Sequence, residues 1–159
     1  MGSEMCIRDR AAGCSRATVY RYFENRDALR RAYVHREARL VAGEVASALV
    51  AIDDPAEQIV QGVLLAVAAV RRSAEMSAWF GVGSAGFAHD LAGSSDVIEV
   101  LASDFVAGAL PGADDGPQRA RWLVRIIVSL LTLPGADAAE ERELVERFVA
   151  PVVLQPATA

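Results

Sequence analysis

A short stretch near the start of the chain is dense in side chains that bind anions and form hydrogen bonds. Residues 16–23 read RATVYRYF and contain two arginines, a threonine and two tyrosines. Arginine binds phosphates and guanine edges, and threonine and tyrosine hydroxyls hydrogen-bond to phosphate oxygens. These residue types on one short helix suit binding to a DNA duplex. The alternative is a polar surface helix with its tyrosines packed sideways, and the residues alone leave both interpretations open.

Two helices on either side of a tight turn would position these side chains. Gly13 permits a sharp turn, and Ser15 can cap a helix over residues 16–23. Val19 and Phe23 lie four residues apart in that helix and can face a core, which leaves the polar residues on its other faces. The pattern therefore predicts a helix-turn-helix.

The helix that follows is predicted to be unusually long. Asn25 can cap it, and Asp27 places a negative charge in its first turn, where the helix dipole favours an anion. No proline interrupts the chain from there to about Val50, so we expect one continuous helix.

Charge is distributed unevenly along the sequence. Residues 8–40 hold nine arginines and four acidic residues, a net charge of +5, whereas the rest of the chain carries −10. An acidic protein with one basic end is expected to meet a polyanion at that end only. A basic stretch of this size is more often a solvated helix face than a nucleic-acid site, so charge alone does not decide between them.

Residues 11–34, AAGCSRATVYRYFENRDALRRAYV, resemble the DNA-binding signature of the TetR family of bacterial transcription regulators. That signature joins an Ala-Gly turn and a Ser cap to a short helix ending in Tyr-x-Tyr-Phe and to the start of the next helix. The matching positions are Ala12, Gly13, Ser15, Thr18, Tyr20, Tyr22, Phe23, Arg26, Asp27, Ala28 and Leu29. The resemblance implies a recognition helix whose DNA contacts come from Arg16, Ala17, Thr18, Tyr20, Arg21, Tyr22 and Arg26.

The resemblance also implies the fold and the function. We expect an all-α protein, with a helix-turn-helix DNA-binding domain in residues 1–38 and a helical ligand-binding and dimerisation domain in residues 39–159. The implied function is an effector-released repressor that binds a palindromic operator on double-stranded DNA as a homodimer. The alternative is a small helical ligand-binding protein without DNA binding.

The first ten residues, MGSEMCIRDR, do not resemble the family. TetR-like proteins have one helix and most of a second before the Ala-Gly turn, so we expect a truncated chain with a non-native start. Because the first helix would cover Val19, Phe23 and Leu29, we expect operator binding by this chain to be impaired.

Capping residues and prolines divide the remainder into further helices. The predicted starts are Asp54-Pro55, Ser95-Asp96, Pro117, and a capping box formed by Asp137 and Glu140. The last helix is predicted to end at Pro151.

The helix over residues 118–132 is apolar around most of its circumference, with a narrow polar face. Such a helix is buried on more than one side, either at the centre of its own subunit or against a second subunit. We predict that it forms the dimer interface together with the helix over residues 138–150. The interface residues are then Leu123, Ile127, Leu131, Leu144 and Phe148.

Four bulky residues lie in the middle of the chain, and they are Met76, Trp79, Phe80 and Phe87. From the residues alone, ordinary core is the better supported interpretation. The resemblance to the TetR family implies instead that these four residues line an apolar effector pocket, and the ligand is not identified.

Several function classes find no support in the sequence. It contains no catalytic constellation and no phosphate-binding or dinucleotide fingerprint, so we expect neither an enzyme nor a cofactor. His35 and the pair His89-Asp90 do not make a metal site. No apolar run approaches the roughly 18 residues of a membrane span. We expect a cytoplasmic protein in which Cys6 and Cys14 are free thiols.

Overall fold

The computed structural model describes residues 21–78, 80 and 95–156, and helices joined by turns make up these ranges. The all-α class is thereby confirmed for this part of the chain. The chain divides into two compact units, residues 1–34 and 35–159, while the predicted domain boundary after residue 38 stays a prediction. The described helices are α1 (Arg26–Leu49), α2 (Pro55–Arg72), α3 (Ala74–Ser77), α4 (Asp96–Ala109), α5 (Gly116–Thr132), α6 (Ala138–Leu144), a π-helical segment (Val145–Val149) and α7 (Ala150–Leu154).

The long helix α1 begins where the sequence places its cap. Asn25 Oδ1 accepts a hydrogen bond from the backbone N–H of Ala28 at 2.8 Å. This bond satisfies one of the amides that the first turn of a helix leaves without an intrahelical partner. The prediction of one uninterrupted helix from Asp27 to about Val50 is confirmed to within one residue at each end.

Helix α2 forms the centre of the second unit. The carboxylate of Asp54 caps it by accepting from the backbone N–H groups of Ala56 and Glu57, and Pro55 occupies its first turn. Its apolar stripe packs against α4, α5 and the C-terminal helices. The buried members of the stripe are Ile59, Val60, Val63, Val67 and Val70. The first four of them form one core cluster with residues of α4, α5, the π-helical segment and α7.

Two glycines permit close approach and a sharp turn. A Cβ atom placed on Gly62 would lie 2.7 Å from Cε2 of Phe105 and closer still to its Cζ, so the phenyl ring of α4 rests directly against the backbone of α2. Gly112 has φ +83° in the turn between α4 and α5, a conformation that favours glycine. Helices α4 and α5 pack closely together.

Two arginines join α5 to the C-terminal helices. Near the start of α5, Arg119 donates to the backbone carbonyls of Val153 and Gln155. Near its end, the carbonyl of Leu130 accepts from Arg71 of α2 at 2.8 Å, and the same guanidinium binds Glu141 of α6. Helix α5 and the C-terminal helices therefore run antiparallel, with a polar link at each end.

The prediction that Pro151 ends the last helix is wrong. Proline lacks an N–H group, and its ring clashes with the carbonyl four residues earlier, which disfavours an ordinary α-helix at this point. The chain instead widens into a π-helical turn over Val145–Val149, in which the N–H of Ala150 donates to the carbonyl of Val145. Helix α7 then continues through Pro151 to Leu154.

The capping of α6 differs in one detail from the predicted box. Asp137 accepts from the backbone N–H groups of Ala139 and Glu140, as expected for an N-cap. The carboxylate of Glu140, however, accepts from the N–H of Ala136, one residue before the cap.

Within the described residues, no helix combines the length and the apolar character that crossing a membrane requires.

Candidate functional site

The residues predicted to contact DNA fall at the edge of the described chain. Arg16, Ala17, Thr18 and Tyr20 lie outside the described residues. Arg21 and Tyr22 are described, and both are exposed. Arg26 is the first residue of α1.

Arg21 and Tyr22 present a paired polar surface. The guanidinium of Arg21 lies over the ring of Tyr22, 5.5 Å from its centroid, and Tyr22 is 72% exposed. A cation over an aromatic face is attracted by the ring quadrupole, which restricts the long arginine side chain. The arrangement leaves a cation and a phenolic hydroxyl available to an anionic partner, and phosphate oxygens are partners of both groups.

The turn after this pair is fixed by short-range contacts. Asn25 caps α1, and the carboxylate of Asp27 lies 3.5 Å from the guanidinium of Arg30 one turn further on. An exposed ion pair of this kind contributes well under about 1 kcal/mol to folding. The cap, worth about 1 kcal/mol, therefore does more to fix where α1 begins.

The predicted pocket residues are only partly described. Met76 lies in α3 and is buried, where the hydroxyl of Ser73 caps the helix by accepting from its backbone N–H at 3.2 Å. Phe80 is half-buried. Trp79 and Phe87 lie outside the described residues, so the choice between core and pocket stays a prediction.

The five predicted interface residues differ in how much surface they offer. Leu123 is only 1% exposed and belongs to the core of its own chain, so it has no surface for a second subunit. Ile127 and Leu131 are half-buried against the same core. Leu144 is 38% and Phe148 62% exposed. The exposed members lie on the C-terminal helices.

A further exposed residue extends this apolar surface. Val152 is 48% exposed and lies four residues after Phe148, which itself lies four after Leu144. The three residues form what we name the C-terminal stripe. Val152 was not predicted, because Pro151 was expected to end the helix, although the spacing of four residues is visible in the sequence. Trp122 of α5 and Leu133 just after it are also exposed.

Charged groups attach α6, the helix in which the C-terminal stripe begins, to α2. The carboxylate of Glu141, 5% exposed, accepts two hydrogen bonds from the guanidinium of Arg71 at 2.7 and 2.8 Å. It also accepts one from the backbone N–H of Gly135. The hydrogen bonds from Arg71, opposed in part by burial, hold the pKa of Glu141 below its ordinary value.

A second ion pair joins α2 to α6. Arg142 donates to both oxygens of Glu57 at 2.8 and 2.9 Å. Hydrogen bonding from Arg142 lowers the pKa of the Glu57 carboxyl.

His35, the histidine within the described residues, lies close to a hydroxyl group. Nε2 of His35 lies 2.9 Å from the hydroxyl of Ser95. In the described ranges no group of three or more His, Cys, Asp and Glu side chains could hold a metal ion. His89 and Asp90 lie outside these ranges.

Comparison with known sequences identifies regulators of transcription. No protein-family model matches the chain. The chain is 42% identical over 153 residues to the HTH-type transcriptional regulator Rv1255c of Mycobacterium tuberculosis strain H37Rv, an alignment that covers 94% of this chain and 74% of the relative. The HTH-type transcriptional regulator MT1294 of M. tuberculosis strain CDC 1551 matches to the same extent.

Comparison with solved structures agrees on the fold. The crystal structure of AlkX, a TetR family repressor from Dietzia sp. strain DQ12-45-1b implicated in biodegradation of n-alkanes, superposes with a TM-score of 0.68. The match covers 94% of this chain and 83% of AlkX at 20% sequence identity, so this likeness concerns the fold.

Proposed function

This chain belongs to the TetR family of helix-turn-helix transcription regulators, and we propose that it is a repressor that binds a palindromic operator as a homodimer and releases it when a small molecule binds. It is a DNA-binding regulator and not an enzyme. The observation that carries the proposal is the 42% identity to two HTH-type regulators over nearly the whole chain, together with the signature in residues 11–34.

The DNA contacts are proposed for the helix that ends at Tyr22. The exposed pair of Arg21 and Tyr22 supports this assignment, because it offers one cation and one hydroxyl side by side. Arg16, Ala17, Thr18, Tyr20 and Arg26 complete the proposed set through the family resemblance alone. In a recognition helix, residues near the N-terminus read base edges in the major groove, and flanking residues bind phosphates.

The homodimer is proposed to form through the C-terminal stripe. The C-terminal stripe, Leu144, Phe148 and Val152, is an exposed apolar row. Arg71 and Arg119 bind the helices that carry it to the rest of the second unit, through Glu141 and through the carbonyl of Gln155. A two-fold interface brings the same surface of both copies together, so one apolar row can cover the other. Ile127 and Leu131, which are half-buried against the core, are proposed to add the surface that they leave exposed. The buried Leu123 is left out of the proposed contact.

The effector is proposed to bind among apolar side chains that include Met76, Trp79, Phe80 and Phe87. The buried Met76 and the half-buried Phe80 are consistent with a mostly apolar lining. Release of DNA then requires that the effector bind more tightly to the conformation with low operator affinity.

The test is selection of bound sequences from a pool of random duplexes at fixed salt, first with this chain of 159 residues. We expect a palindromic sequence with half-sites about 34–36 Å apart or a multiple of that distance. A version with a family-like N-terminal helix pair added is selected in parallel. Ligand binding by a folded dimer that selects no DNA sequence in either version would instead favour the small ligand-binding protein.

The variant Arg21→Ala, with Arg36→Ala as its control, tests the assigned surface. Both changes remove one exposed arginine, but Arg36 lies in α1, outside the predicted set, next to Glu37 at 3.7 Å. We expect Arg21→Ala to weaken operator binding and to reduce the slope of log K against log salt by about 1 for each recognition helix. Equal effects of the two variants would contradict the assignment of Arg21.

A further inference from the structure

The C-terminal helices bury and expose side chains at the same interval of four residues. Glu141, Val145, Val149 and Val153 are buried, each at most 5% exposed. Each residue of the C-terminal stripe directly precedes one of the last three. An α-helix has 3.6 residues per turn, so positions four apart drift around its axis by about 40° at every step. Two rows with this interval do not run straight along an ordinary α-helix.

The accumulated drift is larger than one straight α-helix allows. Val153 lies twelve positions after Glu141, which in an α-helix amounts to three turns and about 120°. Both residues nevertheless face the interior. Arg71 of α2 binds Glu141 at 2.7 Å, and Val153 belongs to the core cluster. The chain therefore holds about one residue more than three α-helical turns place between these two fixed points.

The π-helical segment takes up this extra residue. The N–H of Ala150 donates to the carbonyl of Val145, five positions back, whereas an α-helix uses the carbonyl four positions back. A turn of this kind holds about one residue more than an α-helical turn, which removes about 100° of rotation. This nearly cancels the excess of about 120°. The buried row and the C-terminal stripe therefore both remain straight.

Pro151 disfavours the alternative, a continuous α-helix. Proline has no N–H to donate, and its ring clashes with the carbonyl four residues earlier, which is that of Arg147. In a continuous α-helix Val152, eleven positions after Glu141, would lie within about 20° of its face, and Val153 would turn away from the interior. Because the two residues are both valine, burial at this place does not distinguish the arrangements, and the proline does.

We propose that Pro151 is a positioning residue for the homodimer. It selects the arrangement in which Val152 lies in line with Leu144 and Phe148. In the continuous α-helix Val152 faces the interior, and the C-terminal stripe ends at Phe148. This inference rests on the proposed function, since it concerns the surface that a second copy covers. A two-fold contact uses each residue once in each copy, so the loss of Val152 counts twice.

The first test reads the arrangement from thiol reactivity in the full chain and does not require a dimer. The native cysteines are replaced by serine, and Phe148→Glu keeps a second copy off the stripe. Val152→Cys or Val153→Cys then introduces a single thiol. With Pro151 present, the thiol at position 152 should react roughly tenfold faster or more, because Val152 is 48% and Val153 1% exposed. With Pro151→Ala the order of the two rates should invert, and an unchanged order overturns the proposal.

The second test measures the dimer dissociation constant by analytical ultracentrifugation. Pro151→Ala should raise it roughly tenfold or more, since about half of a valine side chain on each copy is no longer buried between them. Deletion of Pro151 should restore dimerisation, because it removes the surplus residue together with the proline. Val152 then follows Leu144 by seven positions, within about 20° of two full α-helical turns. Pro117→Ala, in the first turn of α5, is the matched control and should change neither test.

The outcomes separate the proposal from the homodimer itself. If the thiol order inverts in Pro151→Ala while the dissociation constant stays the same, Pro151 does not serve the dimer and the proposal is refuted. Equal weakening by Pro151→Ala and by the deletion also refutes it, since the position of Val152 is then not the cause. So does a Pro151→Ala chain without a helical circular dichroism signal, because the proposal requires both arrangements to pack. If the unchanged chain forms no dimer, the proposed homodimer fails and the role of Pro151 with it, whereas thiol reactivity still reports the arrangement.

Discussion

Replacing Gly62 by alanine should destabilise the second unit even though alanine is the better helix former. In an unobstructed helix interior this change stabilises a protein by about 0.5–1 kcal/mol, because glycine loses more conformational freedom on folding. At Gly62 the new methyl group would lie 2.7 Å from Cε2 of Phe105. Carbon atoms in ordinary contact are about 3.5–4.0 Å apart, so the ring or the helix must move by roughly 1 Å.

The net sign follows from comparing these two effects. Inserting a methyl group into a packed interface costs typically about 1–3 kcal/mol, and Phe105 packs against the buried core cluster, which restricts its movement. The steric cost therefore exceeds the gain in helix propensity. We expect the free energy of unfolding to fall by about 1 kcal/mol, which corresponds to roughly 2–4 °C in Tm for a chain of this size.

Gly43→Ala is the matched control. Gly43 also lies within a long helix of the second unit, but a Cβ atom there would meet nothing within 4 Å. Because both variants gain the same helix propensity, the difference between their unfolding free energies isolates the contact with Phe105, about 1–3 kcal/mol. Urea denaturation followed by circular dichroism measures both values.

A double variant completes the test. Leucine at position 105 lacks the outer ring atoms that the new methyl group would meet, so Gly62→Ala should cost less in Phe105→Leu than in the unchanged chain. Two outcomes would contradict the close packing of α2 on α4. One is that Gly62→Ala stabilises the chain as much as Gly43→Ala does. The other is that the effect of Gly62→Ala is the same in Phe105→Leu as in the unchanged chain.

Two further predictions concern the C-terminal helices. Phe148→Glu should convert the proposed homodimer to monomers, whereas Val100→Glu, at an exposed apolar position on α4, should not. Sedimentation velocity distinguishes the dimer from the monomer. A Phe148→Glu variant that remains dimeric and keeps its helical circular dichroism signal would exclude the C-terminal stripe as the interface. Acid should lower the free energy of unfolding through Glu141, because the pKa of this carboxyl is lowered in the folded chain. Its contribution to stability is complete above the unfolded pKa of about 4.3 and is lost as the pH falls through the lower pKa of the folded chain. Glu141→Gln should lower stability at pH 7 by about 1–3 kcal/mol and flatten the dependence of unfolding free energy on pH below about 5; an unchanged slope would show that other carboxyls dominate.

The starts of the helices were the most predictable feature of the fold. Asn25, Asp54, Ser95 and Asp137 each accept backbone hydrogen bonds from the helix that the sequence placed after them. A cap interacts with amides two or three residues away, so its whole mechanism is present in a window of four residues. The periodic stripe of α2 was predictable for the same reason, because a turn of helix is also a local repeat.

The contacts of the arginines could not be predicted in this way. Arg71 binds Glu141 across 70 positions, and Arg119 reaches the carbonyls of Val153 and Gln155. Nothing in the sequence near Arg71 or Arg119 distinguishes them from exposed arginines of α1 such as Arg31 and Arg36. Their partners depend on how the helices pack, which is decided by apolar contacts spread over the whole unit.

The proposed interface shows where a local pattern stops being informative. Periodicity identified α5 as apolar over a wide arc, but it did not distinguish the side that faces α2 from a side that faces another subunit. Leu123 is buried within its own chain, while Phe148, in a helix of ordinary amphipathic appearance, remains exposed. The distinction depends on how much of each helix its own chain can cover. The π-helical turn allows the helix to continue through Pro151. Val152 therefore joins the exposed row, which lengthens the apolar surface available to a second copy.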